Sequence, residues 1–148
     1  LGLTTDRGRG STLRPFTNEG AEAMNTIRES LELLERETPL PDLLPERMEA
    51  LNLASFDTAD HIRQLQDDAG KIEEEATAEA SSESNETKRK TRRAEILRDD
   101  EEYARLQAEI RAAERVKLQL DERSHRLARE YRAHLLNREI NHLGRRAA

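Results

Sequence analysis

The sequence has no cysteine and no tryptophan, and only two Phe and two Tyr. Without cysteine there is no disulfide framework, no thiolate metal site and no cysteine nucleophile. That composition fits a reducing, intracellular compartment. So few aromatics cannot nucleate a broad compact core. All four prolines lie in the first 45 residues, and after Pro45 only Gly70 and Gly144 interrupt the helix-favouring residues. No apolar run approaches the roughly 18–20 residues that cross a bilayer, and no secretory signal pattern is visible. The expectation is a chain with no membrane partner. It opens on Leu1 rather than Met, which leaves open a native start or a targeting segment ahead of it.

What the sequence does have is charge, at 38% of residues. A thin apolar stripe on charged helices fits this composition, since a coiled-coil seam needs only two apolar positions in seven. The charge is unevenly placed. Residues 1–16 carry a net +2. Residues 17–87 hold 19 acids against five bases, a net of −14. Residues 88–148 hold 17 bases against 11 acids, a net of +6. An acidic half followed by a basic half can fold back on itself or face partners of opposite sign.

The dominant stretch is 87–143, read as one long C-terminal helix of roughly 80 Å at 1.5 Å per residue. Glu, Arg, Ala, Leu and Lys fill it, and these lose little side-chain entropy in a helix. Its apolar residues recur at helical spacing: Ile96, Tyr103, Leu106, Ile110, Ala113, Leu120, Leu127 and Tyr131. The same register places Lys117, Ser124, His134 and Arg138 on the seam. Polar residues there lower stability but fix register and partner choice. Toward the end Leu135, Leu136, Ile140 and Leu143 widen the stripe, as where more than two helices meet. Gly144 ends the helix, and 144–148 form a basic tail.

Ahead of it, residues 1–16 read as a flexible basic arm broken by Gly2, Gly8, Gly10 and Pro15. Arg7 and Arg9 in that arm are candidate contacts to phosphate or to an acidic surface, against the plainer reading of a solvated terminus. Residues 17–56 hold two short helices joined by Pro39-Leu40-Pro41. The first runs from about Asn18 to Glu37, with Met24, Ile27, Leu31 and Leu34 as its seam and Leu33 beside it. The second starts near Asp42 or Pro45 and places Leu44, Met48 and Leu51 on one face. Leu53 and Phe56 follow at its end. This is the densest non-periodic apolar region, and Phe16 is a candidate member. An acidic amphipathic helix over 57–76 has Ala59, Ile62, Leu65, Ala69, Ile72 and Ala76 at helical spacing, with Gly70 as a weak point. Residues 77–86 form a polar linker whose Ser81, Ser82 and Ser84 lie among acids.

Lys88, Arg89, Lys90, Arg92 and Arg93 open the long helix. Such a run serves as a nucleic-acid contact or, in a eukaryote, a nuclear import signal. The plainer reading is a solvated helix start, or a complement to Glu73-Glu74-Glu75 across a turn. At a helix N-terminus the run opposes the macrodipole. In the simplest assembly the 57–76 helix lies antiparallel to the long helix. Its acids then meet bases such as Arg92, Arg93, Arg98, Arg105 and Arg111, and residues from about Leu118 to Leu143 are left in part to the first helix and more naturally to another subunit.

Catalytic chemistry finds little footing. His61, His125, His134 and His142 form no HExxH pair, and the single ExxH, Glu122 to His125, stands alone where a bundle metal site needs two. No glycine-rich phosphate loop follows a strand. Carboxylates on solvated helix faces are not acid–base pairs. No metal, cofactor or small-molecule substrate is called for.

The expected fold is all-α: an elongated helical hairpin or coiled coil, with two short N-terminal helices and one long C-terminal helix. The expected function is that of a non-enzymatic structural or adaptor subunit. It would bind partner chains, in a homo- or hetero-oligomer, along the seam of Met24, Ile27, Leu31, Leu34, Ile62, Leu65, Ile72, Tyr103, Leu106, Ile110, Leu120, Leu127, Tyr131, Leu135 and Ile140. Two alternatives stand beside it. One is a nucleic-acid-associated helical protein using Arg7, Arg9 and the 88–93 run. Against it, acids are interleaved along the long helix and stacking aromatics are scarce. The other is an assembly scaffold of a phage-like particle, by analogy of composition.

Overall fold

Helix-favouring sequence, punctuated near its start by prolines, sets an architecture of helices lying side by side. The computed structural model describes the backbone of residues 18–147 and the side chains of residues 25–147. Among the described residues there are four α-helices and no strand. They are α1 (Asn18–Glu35), α2 (Leu44–Ala80), α3 (Glu86–Asp99) and α4 (Glu101–Arg146), with a single 3-10 turn at Pro41–Leu43 before α2. The all-α expectation stands. Arg7, Arg9, Phe16 and the Met24 side chain lie outside what is described.

The core is a thin stripe in two parts. Ile62, Leu65 and Ala69 of α2 pack on Leu106, Ile110 and Ala113 of α4, with Ile27, Ile72 and Tyr103 at the edge. Leu44 and Leu51 of α2 pack on Val116, Leu120 and Leu127 of α4, with Leu33, Leu34, Met48 and Tyr131 against them. As the α2 numbers fall the α4 numbers rise, so these helices run antiparallel. Ile27 touches both parts and Leu34 only the second, so α1 runs in the direction of α4. Burying such a stripe stabilises by about 25 cal/mol per Å² of apolar area.

Several boundaries differ from the sequence expectation. The helices expected on either side of residue 57 are one helix of 37 residues. Asp57 and Thr58 look like caps, but the Thr58 hydroxyl donates back to the Ala54 carbonyl at 2.7 Å. That satisfies it inside a continuous helix. The linker expected over 77–86 shrinks to residues 81–85, because the Ala-rich 76–80 segment stays helical. Ala76 and Ala80 are buried there.

The long helix expected over 87–143 is broken at Asp100, although no proline or glycine is present. Asp100 takes an extended backbone, φ −84° and ψ 110°, and its carboxylate accepts the Tyr103 N–H at 2.9 Å. It is an N-cap, and Glu101 and Glu102 follow at the positive end of the new helix dipole. Asn85 caps α3 in the same way, accepting from the Lys88 N–H at 2.9 Å. At the other end Gly144 does not stop α4, which runs on to Arg146. No residue among those described adopts a positive φ. Arg145 and Arg146 in the last turn suit the negative end of the dipole.

Candidate partner-binding surface

Most of the expected seam is consumed by the chain's own packing. Ile62, Leu65, Leu106, Ile110, Leu120 and Leu127 are buried inside the body. Ile27, Leu34, Ile72, Tyr103 and Tyr131 are half-buried at its edges. Leu31 is exposed, because Ser30 takes the inward position on α1 and donates its hydroxyl to the Thr26 carbonyl at 2.8 Å. On α4 the inward residue between Ala113 and Leu120 is Val116 rather than Lys117. Lys117 instead reaches Asp121 at 2.8 Å.

The polar seam positions have defined partners. Ser124 is buried and donates to the Asn52 side-chain oxygen at 2.8 Å. Ser55, buried on α2, donates to Asp121 at 2.5 Å. Burial pushes the Asp121 carboxyl up, but the bonds from Lys117 and Ser55 outweigh it and hold the carboxyl below its ordinary value. His134 and Arg138 approach Asp42, at 3.5 and 3.8 Å. These two contacts to the turn ahead of α2 mark the end of the packed body.

From His134 onward α4 continues as a tail held to the body by the Arg138 contact. Leu135, Leu136, Ile140 and Leu143 lie on it with 41, 56, 56 and 58% of their surface exposed. The prolines explain why no other described segment covers them. Pro39 and Pro41 turn the chain before α2 begins, so α2 starts at Leu44, while no breaker stops α4 before residue 144. From Leu135 to Arg146 the tail extends the molecule by roughly 18 Å. Among the described residues six further large apolar side chains stand exposed: Leu31 on α1, Leu40 and Leu43 at the turn before α2, Leu53 and Phe56 on α2, and Leu118 on α4. Read as the end of a short helix, Leu53 and Phe56 looked like core. On a continuous α2 they fall opposite the stripe of Leu51, Ser55 and Thr58. That signal was present in the 3.6-residue period but was hidden by the expected break.

The 88–93 run is tied to the acidic end of α2. Arg93 donates to Thr77 at 2.9 Å and lies 3.9 Å from Glu73. Arg92 stands 4.0 Å from Glu79 and 3.6 Å from Glu95. Lys90 pairs with Glu86 at 2.9 Å, and Arg89 donates to the Glu83 carbonyl at 3.0 Å. The Lys88 side chain is exposed. Of the bases expected to meet α2's acids, Arg92 and Arg93 do so, while Arg98 and Arg105 pair with acids of their own segments. Glu73 also accepts the Tyr103 hydroxyl at 2.7 Å, and that bond, with burial, raises the phenol above its ordinary value.

A second group of bases is more open. A groove of about 630 Å³ between the end of α1 and α4 is lined by Leu34, Glu122, Arg123, His125, Arg126 and Arg129, with Gln119 at its edge. Arg126 stands 4.0 Å from Glu130. Among the described residues no group of three His, Asp or Glu side chains could hold a metal ion, and no helix is long and apolar enough to cross a membrane. No family model, curated protein or solved structure matches the chain.

Proposed function

We propose that this chain is a non-enzymatic structural or adaptor subunit. Its α2 and α4 act as a coiled-coil-like helical hairpin steadied by α1, and its α4 tail packs against helices of other chains. The observation that carries the reading is the apolar face of Leu136, Ile140 and Leu143, exposed on a helix that outruns its own body. A helix face of that kind gains by burial against another amphipathic helix. Arg145 and Arg146 in the last turn favour the negative end of the α4 dipole and so the helical form of the tail, which lowers the ordering cost of binding.

The test is the double variant Leu136→Asp/Ile140→Asp in the full chain. Both side chains are exposed, so circular dichroism should match wild type. Any assembly the chain forms, with itself or with another chain, should be lost in size-exclusion chromatography with light scattering. An assembly of unchanged mass in the variant contradicts the reading.

Nucleic-acid association is the second reading. It draws support from Arg123, Arg126 and Arg129 along one groove, beside the 88–93 run, of which Arg92 and Arg93 are engaged with α2. Phosphate contacts of that kind predict affinity that falls steeply with salt.

A further inference from the structure

The α4 tail and the outward face of α2 complement one another in shape and in sign. On the tail, Leu136, Ile140 and Leu143 are spaced by four and three residues, one helical stripe. The exposed charges that flank this stripe are mostly basic, Arg129, Arg132 and Arg146 against Glu139, while Arg138 and Arg145 fall on the opposite side of the helix. On α2, Leu53 and Phe56 stand 58 and 71% exposed, a helical step apart. Exposed acids flank them along the same face: Glu49, Asp57 and Asp60. The nearest base on that face, Arg63, is already held by Asp60.

Within one chain the two patches cannot meet. Asn52, next to Leu53, is bonded to Ser124, and the tail begins eleven residues further along α4 and leads away past Asp42. Two tails laid against each other would bring like charges together, which is disfavoured. A tail on an acidic α2 face gains both apolar burial and charge complementarity.

We propose that the tail of one copy docks on the Leu53–Phe56 face of a second copy, head to tail. This rests on the reading of the tail as a docking surface and names its occupant. Because the two patches differ, the contact is heterologous. Each pair leaves one tail and one α2 face unused, so copies add on in a row. Three or four turns of helix against a two-residue apolar patch make a small interface, so association is weak and depends on concentration and salt.

Two surface-blocked variants of the full chain test this. One is Leu136→Asp/Ile140→Asp, with the tail blocked. The other is Leu53→Asp/Phe56→Asp, with the α2 face blocked. All four side chains are exposed, and circular dichroism checks that both variants fold. In sedimentation equilibrium the wild-type mass should climb with concentration and fall with added salt. Each variant alone should remain a monomer, with self-association weakened at least about tenfold. An equimolar mixture should give a dimer and nothing larger, because one intact tail meets one intact face.

As a second measurement, Arg132→Glu/Arg146→Glu should weaken association, and Asp57→Arg/Asp60→Arg in the partner copy should restore it. Wild type that stays monomeric at every concentration overturns the inference, as does a face-blocked variant that still dimerises. If the tail nevertheless holds another protein, the second-copy inference falls and the proposed function stands. If wild type assembles and the tail-blocked variant assembles equally, both fall.

Discussion

Ser124 occupies a position where the heptad pattern would accept leucine, and it is buried with its hydroxyl on Asn52. Ser55 on the facing helix is buried with its hydroxyl on Asp121. A slip of α2 along α4 would leave both hydroxyls buried and unpaired, at about 1–3 kcal/mol each. These pairs therefore fix the axial register that a uniform apolar stripe would leave loose. His61 adds a pH dependence. It is half-buried, and its Nδ1 is enclosed with no hydrogen-bond partner. Burial pushes its pKa below the ordinary 6.5, against an opposing pull from Glu109. The unfolded chain therefore binds the proton more readily than the folded one. The stability held by the neutral imidazole is complete above about 6.5 and is lost as pH falls through the lower folded value. Thermal melts at pH 7.5 and 5.5 should show a larger loss for wild type than for His61→Gln. Equal losses would remove this role. Leu106, Ile110, Ala113, Leu120 and Leu127 were legible as inward residues from spacing alone. Val116 was not. The strict seam puts Lys117 there, but its charge stays at the surface on Asp121 and the neighbouring apolar Val116 fills the inward place between Ala113 and Leu120.

At the scale of elements, the breaks are set by side chains that composition does not weigh. Asp100 splits a stretch without proline or glycine because its carboxylate bonds the Tyr103 N–H and Glu101 and Glu102 behind it favour a helix start. The run Asp99-Asp100-Glu101-Glu102 carried that signal, but the continuous apolar spacing masked it. The break frees α3 to lie along α2, where Arg93 reaches Thr77 and Glu73. Asp100→Ala should cost about 1 kcal/mol through the lost cap. The thermal midpoint should then fall by roughly 2–4 °C. An unchanged or raised midpoint would mean that α3 and α4 prefer to form one straight helix. The opposite error, a break expected near residue 57, came from starting a new helix there. A threonine bonded back to the carbonyl four residues earlier is equally at home inside a helix, and sequence alone does not separate the two.

For the whole molecule, the division into an acidic and a basic half is only partly spent inside the fold. Arg92 and Arg93 meet α2's acids, but these pairs are exposed and contribute little to stability. The apolar stripe holds the body together, and exposed charge of opposite sign flanks the apolar residues of the tail and Leu53 and Phe56 of α2. Leu135, Leu136, Ile140 and Leu143 were legible as a widened stripe. Where the chain's own packing stops was not, because it depends on α2 beginning at Leu44 rather than Asp57. Leu120 and Leu127, expected among the partner contacts, lie inside the body for the same reason. The central expectation is that the α4 tail is the part of this chain that seats on other chains. The most direct measurement is photo-crosslinking from a benzoylphenylalanine at position 140 of the full chain, with a control probe at position 75 on exposed α2 surface. Protein adducts are expected from position 140 only, and they should vanish when Leu136→Asp is added. Adducts absent from position 140, or equally abundant from both positions, would contradict the account.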